Sequence, residues 1–266
     1  MADEEWFIEG PRTIDVEGVD RLKIGLIGGQ VDVVAHDEPG ARIEVHSVSG
    51  RPLRVAVRDR RLEIYHPQLR WDDWLTTMRA FDSRARADVS LLVPRDVAVK
   101  LGVVSASALV SGIRGDAVLS TVSGDLVADS LVGDLALNGV SGEFSVRDHD
   151  GRVTAQTVSG AVTVSGRISD FSSDGVSANV FLEIAGAPRK ILVNTVSGSV
   201  TARLDADIRA EYAITTASGR LRLDDMSERQ VRGRYTGVGG PADGQAVPFR
   251  VNSVSGDVNV VHAVRA

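Results

Sequence analysis

Thr121-Val122-Ser123-Gly124-Asp125-Leu126-Val127-Ala128 is the stretch that decides the fold, because its central tripeptide keeps returning. Val-Ser-Gly recurs as Val140-Ser141-Gly142, Val158-Ser159-Gly160, Val196-Ser197-Gly198 and Val254-Ser255-Gly256. Degenerate copies are Val104-Ser105-Ala106, Val176-Ser177-Ala178 and Ala217-Ser218-Gly219. The serines fall at 105, 123, 141, 159 and 177, four steps of 18, and then at steps of 20, 21 and 37. A fixed period of this size marks a stacked repeat, in which each unit buries its apolar face against the next. The step of 37 has room for one full coil plus an inserted loop.

A weaker half-period of nine runs through Gly115, Gly124, Gly133, Gly142 and Gly151. Each coil therefore reads as two short strands separated by two glycine-bearing corners. Eighteen extended residues trace about 60 Å, which suits a flattened coil whose two sheets pack about 10 Å apart. Alternation supplies the columns: Leu126, Phe144, Val162, Val180, Val200 and Leu221 on one row, and Ala128, Val146, Val164, Leu182, Ala202 and Leu223 on the next. Every member is apolar, as coils stacked in parallel register require. Corner glycines supply backbone freedom for sharp changes of direction. The serines bond coil to coil or satisfy corner backbone groups. They are not nucleophiles, since a nucleophile elbow needs Gly-x-Ser-x-Gly before a helix and a histidine partner.

Composition agrees with strands. Hydrophobic residues reach 43% but aromatics only 5%, so the core is built from Val, Leu, Ile and Ala, types that suit a pleated sheet. The net charge is −6, with 30 basic residues scattered among 36 acidic ones. Nucleic acid is therefore excluded as a partner, because phosphate binding needs clustered Lys and Arg. Absence of cysteine removes disulfides, thiolate metal sites and a cysteine nucleophile. The acidic start Met1-Ala2-Asp3-Glu4-Glu5-Trp6 lacks the pattern of an export signal, and no apolar run is long enough for a membrane helix. Neither a cofactor nor stable membrane insertion is expected, and the expected location is cytoplasmic.

Outside the repeat, residues 6–69 alternate without the 18-residue period and read as irregular N-terminal strands that start the same stack. Within 70–86, Trp71, Trp74, Leu75, Met78 and Phe81 follow helical spacing. This predicts one short amphipathic helix, a lid over an open edge of the solenoid. Its aromatic face is the candidate partner-binding patch. Regular coils span 87–224, a Gly-rich connector loop 225–248, and final strands 249–262, all in a single domain covering 1–266.

Candidate chemistry is sparse. The five histidines, at 36, 46, 66, 149 and 262, show no metal-ligand spacing. Asp148-His149-Asp150 reads as a solvated turn, because its neighbours one coil away, Ser130-Leu131-Val132 and Gly166-Arg167-Ile168, add no carboxylate of the kind glycosidases pair. A calcium ladder needs Gly-Gly-x-Gly-x-Asp in each nonapeptide, and this repeat carries one Gly per half-coil.

The run Thr121–Leu126, its copies as far as Ser255-Gly256-Asp257-Val258, and the entry Asp88-Val-Ser-Leu-Leu-Val-Pro94 resemble the bacterial β-strand-repeat proteins of unknown function that are often labelled adhesins. The resemblance covers residues 20–262. It implies an all-β fold, a right-handed parallel β-helix (solenoid), and brings no catalytic residues. The expected function is a non-catalytic intracellular scaffold or protein-interaction module. It would bind a protein partner or self-associate through the solenoid ends, since little chain follows Gly256 to cover the last coil. An adhesin-like surface or envelope protein is the alternative, and a carbohydrate-active β-helix enzyme the second alternative.

Overall fold

Val and Leu at alternate positions cannot all face water, so each strand turns one row inward. In the computed structural model those rows meet across neighbouring coils. Residues 4–67, 84–224 and 229–264 are described, all-β and without a helix among them. Trp71, Trp74, Leu75, Met78 and Phe81, the core of the predicted helix, lie outside the described residues. The chain divides into two compact units, Met1–Gly133 and Asp134–Ala266.

In the first unit, four coils are each built from two strands. They are β3 (Arg21–Leu26) with β4 (Gly28–His36), β7 (Arg61–Tyr65) with β8 (Arg86–Pro94), β9 (Ala98–Val103) with β10 (Ser107–Ser111), and β11 (Ala117–Thr121) with β12 (Leu126–Asp129). Pairing between coils is parallel: Val99 lies beside Leu22 and Ala117, and Ala108 beside Val31 and Leu126. Chain order and spatial order differ. β3 and β4 also pair with β7 and β8, so the first coil of the chain is threaded between the second and third. β5 (Gly40–Ser49) and β6 (Leu53–Arg58) then lie antiparallel on β8 and β7. β2 (Arg12–Glu17) and β1 (Glu4–Ile8) lie antiparallel on β5 and β6.

The second unit repeats the arrangement. β13 (Leu135–Gly139) pairs in parallel with β14 (Phe144–Ile184), an unbroken 41-residue strand that turns through successive corners. Leu135 lies beside Val153, 18 residues on, and Val180 beside Val200, 20 on. β15 (Ile191–Thr195) and β16 (Val200–Leu204) follow, then β17 (Ile208–Leu223), β18 (Arg229–Gly239), β19 (Gln245–Ser255) and β20 (Val258–His262). The inward rows are fully buried and thin, with Phe144, Phe171 and Phe249 the largest side chains. Each buried Val or Leu contributes about 1.5–3 kcal/mol.

Two expectations are corrected here. The last coil is not left uncovered: β19 lies between β15 and β17, and β20 between β16 and the end of β17. Val258 accordingly stands between Val200 and Leu221 in the apolar column. Nor is 225–248 a loop, because residues 229–239 form β18, antiparallel to β17. Gly233 has positive φ, but two other glycines of this strand meet a packing need. A Cβ on Gly239 would come within 2.7 Å of the Tyr212 ring, and one on Gly237 within 2.5 Å of the Tyr235 hydroxyl. The extra length in the 37-residue step is this returning strand.

Candidate binding surfaces

The repeated serines hold coil to coil. Ser105 Oγ donates to the Ile27 carbonyl at 2.9 Å, Ser123 Oγ to Val104 at 3.1 Å and Ser159 Oγ to Val140 at 3.1 Å. Their own amides bond the same carbonyls. Two corners are braced from inside by a threonine that precedes the tripeptide. Thr121 Oγ1 accepts the Gly124 amide at 2.8 Å, and Thr195 Oγ1 accepts that of Gly198 at 3.0 Å, both threonines buried. Threonine recurs before Val-Ser at 121, 157 and 195, and that was the available signal. Where Gly139 replaces it, a Cβ would lie 2.6 Å from the Phe144 ring, which fills the space instead.

Backbone freedom is used at Gly133, Gly151 and Gly160, which have positive φ, but other corners need glycine for a second reason. Gly124 and Gly198 do not have positive φ. A Cβ there would sit 1.9 Å from the Ala106 carbonyl oxygen and 1.7 Å from that of Ala178, one coil away. Close backbone approach therefore excludes any side chain. The adjoining valines, Val158, Val176, Val196 and Val254, point outward and are half-exposed.

The histidines are dispersed. His36 contacts the Gly40 carbonyl at 2.9 Å, and His262 pairs with Asp224 at 2.8 Å. His149 is buried, which corrects the solvated-turn reading of Asp148-His149-Asp150. Asp148 adopts φ +48, and the His149 backbone passes so close to Gly166 that a Cβ there would lie 2.3 Å from the His149 carbonyl oxygen. His66 is wholly enclosed; its Nδ1 accepts the Ile27 amide at 3.2 Å, and burial pushes its pKa down to about 4. His46 and Ser90, 44 residues apart, meet at 2.8 Å on an exposed sheet face. Ser90 also lines a cleft of about 390 Å³ with Val34, Leu92, Leu109 and Arg42. Among the described residues no three His, Asp or Glu side chains form a metal-binding group, and no helix is long and apolar enough to cross a membrane.

Several carboxylates are occupied by arginines from a neighbouring coil or strand. Arg203 pairs with Glu183 at 3.1 Å, Arg220 with Asp257 at 2.6 Å, Arg152 with Asp134 at 3.4 Å, and Arg189 with Asp170. Hydrogen bonding from Arg220 holds Asp257 below the usual carboxylate range, as Arg54 does for Glu5 and Arg95 for Asp37.

Three strands expose an edge among the described residues: β1 pairs only with β6, β2 only with β5, and β18 only with β17. β18 is the longest, at 11 residues, and carries Arg232 and Arg234 exposed to solvent with Val238 57% exposed. On β1, Phe7 is 62% exposed, beside the Arg54 guanidinium, which lies 6.0 Å from its ring centre.

An all-β chain of parallel-stacked repeats, with bonded serine corners and arginine–carboxylate rungs, defines a β-solenoid-like repeat protein. The chain belongs to the Toastrack DUF4097 family, whose model matches residues 19–261. Three solved structures are similar to it along nearly their whole length. One, described as a "putative cell adhesion protein" from Clostridium sporogenes, is 14% identical, with 95% of this chain and 100% of that chain covered and a TM-score of 0.31. A "putative lipid binding protein" from Parabacteroides distasonis is 12% identical, with 96% and 97% covered and a TM-score of 0.43. A "putative adhesin" from Bacteroides fragilis is 13% identical, with 95% and 98% covered and a TM-score of 0.38. No curated protein matches the sequence.

Proposed function

We propose that this chain is a non-catalytic protein-interaction module, a scaffold that takes up an extended partner segment by strand addition at an open sheet edge. The observation that carries the reading is β18, exposed and, among the described residues, bonded on one side only. Alternate residues of such a strand turn their amide and carbonyl groups outward, where another strand can bond them. Arg232 and Arg234, with no acid between residues 229 and 239, favour an acidic segment.

The charge pattern argues against catalysis. A carboxyl that acts as a general acid needs a raised pKa, whereas the carboxyls of Glu5, Asp37 and Asp257 are held low by arginines. The groups shifted by burial, His66 and Tyr212, are enclosed where no substrate reaches them. The coil sense is taken as right-handed, the usual hand of parallel crossovers in one sheet. The scaffold reading assigns the protein to the cell interior, and fractionation of the native organism checks that assignment; recovery at the surface favours the adhesin reading instead.

A fluorescein-labelled peptide alternating Glu and Val tests the edge. Anisotropy rises on titration with the full chain, and the double variant Arg232→Glu/Arg234→Glu weakens binding about tenfold or more. A peptide that binds both proteins equally, or neither, overturns the proposal.

A further inference from the structure

We infer that the segment taken up by β18 is β1 of a second copy of this chain, so that copies associate head to tail. This deepens the strand-addition reading and rests on it. Among the described residues both strands are bonded on one side only, β1 to β6 and β18 to β17. Their charges are opposite. β1 carries Glu4 and Glu5, Glu9 follows it, and no base lies between residues 4 and 9; β18 carries Arg232 and Arg234 and no acid. Glu5 is already engaged by Arg54 and Arg58, which leaves Glu4 and Glu9 exposed at the two ends of the strand.

Charge on an edge strand usually guards against unwanted pairing. Here the guard is selective, because β18 against β18 and β1 against β1 bring like charges together, whereas β1 against β18 brings opposite ones. Apolar surface matches as well, since each edge exposes one large side chain, Phe7 (62%) on β1 and Val238 (57%) on β18. β1 is only five residues long, so one seam makes few bonds and association is weak, concentration-dependent and sensitive to salt. The two surfaces differ, so the contact is heterologous and each added copy presents a fresh edge.

Sedimentation velocity of the full chain, from micromolar to several hundred micromolar, tests this at low and high salt. The wild type forms a concentration-dependent ladder of species that shrinks in high salt. Glu4→Lys/Glu9→Lys and Arg232→Glu/Arg234→Glu, each melting like the wild type, stay monomeric alone. Mixed together, or combined in one chain, they associate again because the edges are once more opposite in charge. A wild type that stays monomeric throughout, or association untouched by either charge reversal, overturns the inference. If the wild type is monomeric while the Glu-Val peptide still binds β18, the self-pairing fails and the strand-addition reading stands; if the peptide also fails, both fall.

Discussion

His66 shows what a single enclosed side chain does to the whole chain's pH response. Its Nδ1 takes the Ile27 amide, so the neutral ring carries its proton on Nε2, an atom buried without a partner among the described residues. Charging that ring inside the core is costly, and its folded pKa is pushed down to about 4 from an ordinary value near 6.5. Below pH 6.5 the unfolded chain therefore binds a proton that the folded chain does not. Stability contributed by the neutral ring is full above that pH and drains away as pH falls toward 4. At pH 5 the loss is about 2 kcal/mol. His66→Gln keeps an acceptor for Ile27 and cannot titrate. Urea unfolding at pH 7 and pH 5 is expected to show a steeper loss for the wild type than for the variant; parallel slopes would refute a buried neutral imidazole.

At the scale of the element, the corner is a device for bringing two backbones closer than side chains permit. Gly198 lacks room for one carbon atom, with 1.7 Å to the Ala178 oxygen. Gly198→Ala is thus expected to cost roughly 3 kcal/mol or more, the range of severe overpacking. Gly10→Ala, with nothing within 4 Å, is expected to stay within about 0.5 kcal/mol. Thermal or urea melts of the two variants compare them directly, and equal stability would mean that the corner tolerates separation. The corner was legible in the sequence because its chemistry recurs in step: Ser123 and Ser159 each find the preceding coil's carbonyl at 3.1 Å, as a ladder predicts. The physical reason for its glycine was not legible, since a positive φ and a close approach demand the same residue. β18 was misread on similar grounds: glycines cleared for the Tyr212 and Tyr235 rings look, in sequence, like the glycines of a loop. The contact of Ser90 with His46 left no trace at all, its partners being 44 residues apart, His46 in the non-repeating section and Ser90 in a strand of the coils.

Across the whole molecule, the repeat determines which residues face inward but not the order in which coils stack. Val200, Val258 and Leu221 are interchangeable in an apolar column, so nothing local says that the coil holding Val258 lies between the other two. In both units one coil is threaded inward out of chain order, β3–β4 between its neighbours and β19–β20, nearest the C-terminal end, between theirs. In a simple solenoid the last coil touches one neighbour and frays first, since stability there is a sum of adjacent interfaces. Here β19 has bonded strands on both sides, and β18 has one. Opening β19 must also detach β17 from β15's side of the sheet, whereas opening β18 exposes only the outer edge of β17. Native-state hydrogen exchange is thus expected to rank β19 amides such as Val247, Phe249 and Val251, all buried, among the slowest of the second unit, with β18 amides such as Arg232 and Thr236 far faster, because exchange reports the free energy of the smallest opening that frees each bond. Comparable rates for the two strands would mean that the end of the chain frays as a terminal coil does, and that β19 is not held between β15 and β17.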